Sequence, residues 1–253
     1  TILCKMVLTT GTVQRIAKDV KYITNNPINN IYYKHDSENI MKGYALILGN
    51  KETPYSDGNY LFEFTFPDNY PFEPPKLKFL TNDGYMRFHP NLYINGKVCL
   101  SIINTWNGEG WTSCNNINSI LLILTSIFDI NSLTFEPGIE KNHYNVKKYD
   151  ILVAYKNIEY TIIKQINLVN NLDENKLTLT NEKCLFLFKN EIIDNFKKNL
   201  ENINYNLQKL KEEFNKKFTN KYITISSYSL VNFNLDFDKL NNELNNLSII
   251  LNK

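Results

Sequence analysis

Reactive side chains crowd one short stretch, HPNLYINGKVCLSIINTWNGEGW, which brings His89, Pro90 and Asn91 ahead of Gly96 and Cys99 and ends in Trp106 and Trp111. A thiolate attacks carbonyl carbon, an asparagine amide can donate to the oxyanion that results, and a histidine can carry a proton. Each residue also has a plainer use. A free cysteine is most often a small buried hydrophobe, a histidine often satisfies backbone, and Pro90 fixes φ. The chemistry therefore rests on the set and its spacing, with seven residues between Asn91 and Cys99.

Such a loop needs a frame, and the preceding sequence supplies one. Val13, Ile16, Val20 and Ile23 recur at helical spacing and predict a helix over 12–24, stopped by Asn25-Asn26-Pro27. Extended patterns follow over 30–34, 43–49, 59–66 and 76–80, separated by turn signals such as Ser56-Asp57-Gly58 and the run Pro67 to Pro75. An antiparallel meander of four strands is the economical reading. No periodicity persists from Gly84 to Gly110, and long irregular segments in compact domains are functional or disordered; this one is too aromatic for disorder. Helices are then expected over 115–128, 142–168, 191–218 and from Asp236 onward, the last two with apolar faces that need a partner surface. Packing back onto the first 170 residues as a second lobe, or a dimer seam, would supply it.

With 253 residues, 43% apolar, 13% aromatic and 21% charged, the chain is globular, long enough for one generous domain or a domain with an extension. A net charge of +2 without a basic stripe gives no reason to expect nucleic acid or an acidic membrane. The 40 Asn and 28 Ile against 3 Ala look like codon bias rather than mechanism. Cys4, Cys99, Cys114 and Cys184 form no CxxC pair and the histidines do not cluster with them, which argues against structural zinc and against a disulfide scaffold. Reduced thiols fit a cytoplasmic or nuclear setting. The apolar stretch 117–130 is interrupted by Asn118, Ser119 and Asp129 and falls short of the roughly 20 residues that cross a bilayer. Because the chain begins with Thr1, a trimmed upstream segment and any signal it carried would be invisible.

Taken together, the four strands, FPDNYPFEPPK, HPN at its spacing from CLSI, and a Trp late in the loop resemble the ubiquitin-conjugating enzymes from Val13 to about Leu168. Within that family CLSIINTWNGEGW and FEPGIE are most like the branch with extended chains, the ubiquitin-conjugating enzyme Z type. The resemblance implies an α+β fold: an N-terminal helix, the four-stranded antiparallel meander, an active-site loop and C-terminal helices, here a catalytic core over 1–169 followed by a helical extension over 170–253. It implies a thioester carrier that takes ubiquitin or a ubiquitin-like modifier from an ATP-driven activating enzyme onto Cys99 and passes it to substrate lysines, usually with a ligase. No metal or cofactor is implied, and neither nucleic acid nor membrane is an expected partner.

The chemistry is consistent with that expectation. A carrier wants an accessible sulfur that is not strongly activated, and a free thiol with a pKa of about 8.5 already has a few per cent thiolate at neutral pH. The acceptor lysine is harder, since deprotonation from a pKa near 10.4 costs about 4 kcal/mol. Asn91 is the candidate oxyanion donor, with loop structure as its alternative role; His89 and Pro90 are expected to brace the loop. Pro71 and Phe72 match the family's ligase-facing loop, although packing would serve them equally. Where many members follow the Trp with Ser-Pro, Trp111 is followed by Thr112-Ser113-Cys114, and Asn107 to Gly110 resembles an inserted turn. The acid that often assists lysine deprotonation has no clear match: the segment offers Asp129 and then Asn131-Ser132. Two other classes compete, a non-catalytic adaptor on the same fold, which would typically lack Cys99, and a cysteine hydrolase, whose papain-like order puts Cys before His.

Overall fold

A computed structural model describes residues 10–219, 221–225 and 228–251; Cys4 lies outside them. Helix α1 (Thr10–Asn25) leads into β1 (Ile31–His35), β2 (Lys42–Leu48), β3 (Asn59–Thr65) and β4 (Lys76–Phe79), an antiparallel meander in the order β1-β2-β3-β4. Register sets which side chains share a face. Tyr33, Ala45, Phe62 and Phe79 are cross-strand partners on the inner face, where Tyr60 stacks on Phe128 at 4.3 Å beyond the end of α2 (Ile117–Ser126). Asn116 caps α2: its Oδ1 accepts from Ser119 N while its own N–H donates to Ser119 Oγ, which starts the helix two residues later than the apolar pattern suggested.

Helix α3 (Tyr144–Lys156) continues without a break through a π-helical stretch (Asn157–Lys164) into α4 (Gln165–Asn171). The widened turns present Asn157, Thr161 and Gln165 to the loop before β3. Asn157 accepts from Tyr60 Oη at 2.6 Å and donates to Ser56 O at 2.8 Å, Asn59 donates to Thr161 O at 2.9 Å, and Gln165 to Asn59 O at 3.2 Å. Gly58 permits this approach, since a Cβ there would lie 1.8 Å from Asn157 Oδ1.

The extension closes the molecule's other side. Helices α5 (Thr180–Leu187) and α6 (Lys189–Lys217) begin on the outer face of the sheet, the face of Lys34, Tyr44 and Glu63. There Lys34 Nζ donates to Leu187 O at 2.8 Å, pairs with Glu191 at 2.6 Å and lies 5.1 Å from the Phe188 ring centre. The same face buries Leu46, Leu48 and Leu61, each worth about 1.5 to 3 kcal/mol when fully removed from water. Farther along α6, Asn195 donates to Asp57 O at 2.9 Å, and Asn202 and Asn206 reach Asp57 and Ser56. A two-stranded ribbon, β5 (Tyr222–Ile223) and β6 (Phe233–Asn234), precedes α7 (Phe237–Leu251), which packs on α6 through Phe237 and Phe214 at 5.4 Å. Apolar residues of α6 and α7 join the same buried cluster as the sheet, so the expected second lobe is instead a continuation of one core. The helix through residue 169 also runs two residues past the expected boundary.

Candidate active site

Residues 85–111 lack long regular elements because backbone and side chains hold one another in short range. Leu92 forms bridges with both His89 and Val98, and Tyr93 N donates to Lys97 O at 2.9 Å. Gly96, at φ +88°, closes this turn, and its carbonyl accepts from Phe79 N at 2.8 Å, which ties the loop to the end of β4. Beyond it Thr105 Oγ1 donates to Val98 O and accepts from Leu100 N, both at 2.9 Å. Small polar residues in an aperiodic run are the sequence signal for such side-chain-to-backbone bonding, and Thr105 in this run carries it.

Cys99 and Asn91 face each other as reciprocal partners. Cys99 N donates to Asn91 O at 2.9 Å, and Asn91 Nδ2 donates to Cys99 O at 2.6 Å. An amide nitrogen carries two hydrogens, so one of them is left for another acceptor beside the cysteine. The cysteine departs from expectation in one respect: it is 2% exposed rather than accessible, because the bridge through Val98 and the bond to Asn91 fold it into the loop.

His89 is enclosed and its Nδ1 accepts from Asn91 N at 3.0 Å, which puts the ring proton on Nε2. Among the described residues Nε2 has no hydrogen-bond partner, and the Phe135 ring stands edge-on 4.8 Å away. Burial, reinforced by the Arg87 charge, pushes the imidazole down to about 3, so it is neutral throughout the physiological range. Pro90 presents its carbonyl to the Arg87 guanidinium.

Pro71 and Phe72 stand on a neighbouring loop. Pro71 O accepts from Trp111 Nε1 at 2.7 Å, while Phe72 is 79% exposed. Trp111 also packs on Tyr70 at 5.9 Å, so the inserted segment 107–110 and the Pro71 loop meet through one indole. Asp129 is exposed and its Oδ1 accepts from the next peptide, Ile130 N, at 2.7 Å. A different acid is perturbed: burial raises Asp150 to about 6, Asn131 N donates to its Oδ2 at 3.3 Å, and its Oδ1 has no partner among the described residues. Among the described residues no three His, Cys, Asp or Glu side chains gather as metal ligands, and no helix is long and apolar enough to cross a membrane.

A family model described as ubiquitin-conjugating enzyme matches residues 15–157. The chain belongs to the ubiquitin-conjugating enzyme family. The ubiquitin-conjugating enzyme E2 Z of Xenopus tropicalis is 34% identical over 157 residues, 61% of this chain and 50% of that protein. The human E2 Z is 36% identical over 151 residues, 58% of this chain and 43% of that one. The chain thus spans about half the length of the curated relatives it matches. A solved structure of human ubiquitin-conjugating enzyme E2 G1 matches at 28% identity and a TM-score of 0.42, covering 47% of this chain and 94% of its own. As a ubiquitin-conjugating family member the chain has the α+β arrangement that its motifs implied, and His89, Asn91 and Cys99 all lie inside the matched residues.

Proposed function

We propose that this protein is a conjugating enzyme that carries ubiquitin or a ubiquitin-like modifier as a thioester on Cys99. The Cys99 thiolate attacks the carbonyl carbon of the modifier's terminal acyl group, held as a thioester by an activating enzyme, whose own thiol leaves. In the second step a lysine amine attacks the same carbon, the Cys99 thiolate leaves, and the amine's proton passes to solvent or a base. The observation that carries this reading is the reciprocal hydrogen bonding of Asn91 and Cys99, which leaves the second amide hydrogen of Asn91 for the oxyanion that forms when lysine attacks the thioester. Because Cys99 is covered, charging requires the loop around it to yield.

On this reading residues 1–169 are the catalytic core, His89 and Pro90 brace the loop, and exposed Phe72 with Pro71 offers the ligase a surface. A hydrolase is disfavoured by His89, whose Nδ1 lone pair is engaged with backbone and whose burial opposes taking up a proton, so it is a poor base for Cys99. An adaptor has no use for the retained sulfur.

The test is incubation with a panel of activating enzymes, modifiers and ATP, read by non-reducing electrophoresis. A modifier adduct cleaved by thiol reductant is expected, lost in Cys99→Ala and converted to a reductant-resistant oxyester in Cys99→Ser. An adduct that persists in Cys99→Ala would overturn the assignment, and release of peptide products without an adduct would favour the hydrolase.

A further inference from the structure

The extension does more than bury apolar surface: between β5 and β6 it sends a segment to the approach of the active-site loop. Tyr228 N and Ser229 N both donate to Ile225 O, at 3.0 and 2.9 Å, and Ile225 N donates to Ser229 Oγ at 2.8 Å. These bonds set Tyr228 against the strand-like residues 85–87, where Arg87 N donates to Tyr228 O at 2.8 Å, Leu230 N donates to Tyr85 O at 2.7 Å, and Met86 bridges Ser229. From the other side Tyr149 Oη donates to Arg87 O at 2.7 Å, and its ring meets Tyr228 edge-on at 5.6 Å.

Arg87 is held in an unusual way. Its guanidinium lies 3.8 Å from the Tyr93 ring centre and 5.1 Å from that of Tyr228, its Nε is buried without a partner among the described residues, and an NH₂ group donates to Pro90 O. Among the described residues it pairs with no carboxylate, so aromatic faces take the place of a counter-ion. The peptide it touches is the one between Pro90 and Asn91, and that peptide is gripped at both ends: its oxygen accepts from Arg87, and its N–H donates to His89 Nδ1. The same peptide carries Asn91, whose side-chain amide donates to Cys99 O at 2.6 Å. Without the Tyr228 ring, one face of the guanidinium opens to water and Pro90 O loses its fixed donor.

We propose that Tyr228 and Arg87 are positioning residues which orient the Asn91 amide for transfer from Cys99, so that the extension takes part in the reaction through the loop. This rests on the thioester reading above. A displacement of about 1 Å in a reacting group is enough to cost up to a hundredfold in rate, so partial loosening at one remove should cost about tenfold.

The experiment uses the full chain. Wild type, Tyr228→Phe, Tyr228→Leu and Arg87→Lys are charged with modifier, separated from activating enzyme, and followed during single-turnover discharge at saturating free lysine. The same four proteins, uncharged, are compared by melting temperature and by the ¹⁵N–¹H resonances of the Asn91 side-chain amide. Tyr228→Phe, which keeps the aromatic face, should discharge within about twofold of wild type, whereas Tyr228→Leu and Arg87→Lys should slow about tenfold while charging changes by less than about twofold. The Asn91 resonances should move in Leu and Lys but not in Phe. Wild-type discharge in Tyr228→Leu with unmoved resonances overturns the proposal, as does a loss of charging and discharge together that follows melting temperature and includes Tyr228→Phe. Should Tyr228→Leu fail to fold, Arg87→Lys decides by the same two readouts. If wild type forms no reductant-sensitive adduct, the thioester reading fails instead, and the amide resonances still decide whether the clamp exists.

Discussion

Asparagine does two different jobs in this molecule. In the loop, Asn91 spends one amide hydrogen on a single carbonyl, Cys99 O, and its value lies in where that leaves the other. On α6, Asn195, Asn199, Asn202 and Asn206 fall at spacings of four, three and four, one stripe along the helix, and each precedes an apolar residue that enters the core or, for Leu200, packs against it. Three of the four bond the turn at Ser56 and Asp57, while Asn199 takes a bond from Lys51 and gives one back to Asn195 O. The first arrangement is local and poised, with a donor to spare. The second is distributed along the helix, and fixes where α6 lies against the core. One amide in a loop can therefore govern rate with little effect on stability, and a row of them can do the reverse.

The largest effect should come from removing the second region entirely. Deleting residues 172–253 uncovers Leu46, Leu48 and Leu61 on the outer sheet face, and the truncated chain is expected to aggregate on expression. A soluble, monomeric truncation with an unchanged melting temperature would break the comparison. Next in size is Asn91→Ala, which should leave charging near wild type and slow discharge to lysine by about 10² to 10³, the usual worth of one oxyanion donor. Unchanged discharge with a clearly lower melting temperature would move Asn91 into the structural class beside the α6 stripe. The smallest is Asn202→Ala, expected to lower unfolding free energy by about 1 kcal/mol in urea, with discharge untouched. A kinetic defect there would mean that the seam on α6 also reaches the loop.

Much of this was legible in the sequence, for stateable reasons. The spacing of His89, Asn91 and Cys99, the four strand patterns and the apolar faces of the long helices are all carried by residues whose roles are set within a few positions of chain. What escaped was set at a distance. Helix α5 has only Cys184 and Leu185 buried, too little for an amphipathic pattern, and β5 and β6 are two residues each, below any strand signature. The burial of Cys99 follows from bridges that no periodicity announces. Arg87 and Tyr228 lie 141 positions apart, and neither is distinctive alone. One missed feature did leave a trace: YALIL in β2 is an unbroken apolar run, the mark of a strand buried on both faces, and it predicts that something must cover the outer side of the sheet.

That covered outer face has a consequence during synthesis. The strands of the meander emerge from the ribosome long before Phe188, 142 residues after Leu46, and at about 5 to 20 residues per second the interval is roughly 7 to 30 s. Within that time β2 and β3 gain their inner partners once Phe128 has emerged, 82 residues after Leu46, while their outer leucines still have none. A nascent chain in this state is a natural client for a holdase, and the exposure ends only when α5 and α6 arrive to close the sheet. The order of arrival therefore makes two late helices, α5 and α6, the ones that end the chain's most vulnerable period.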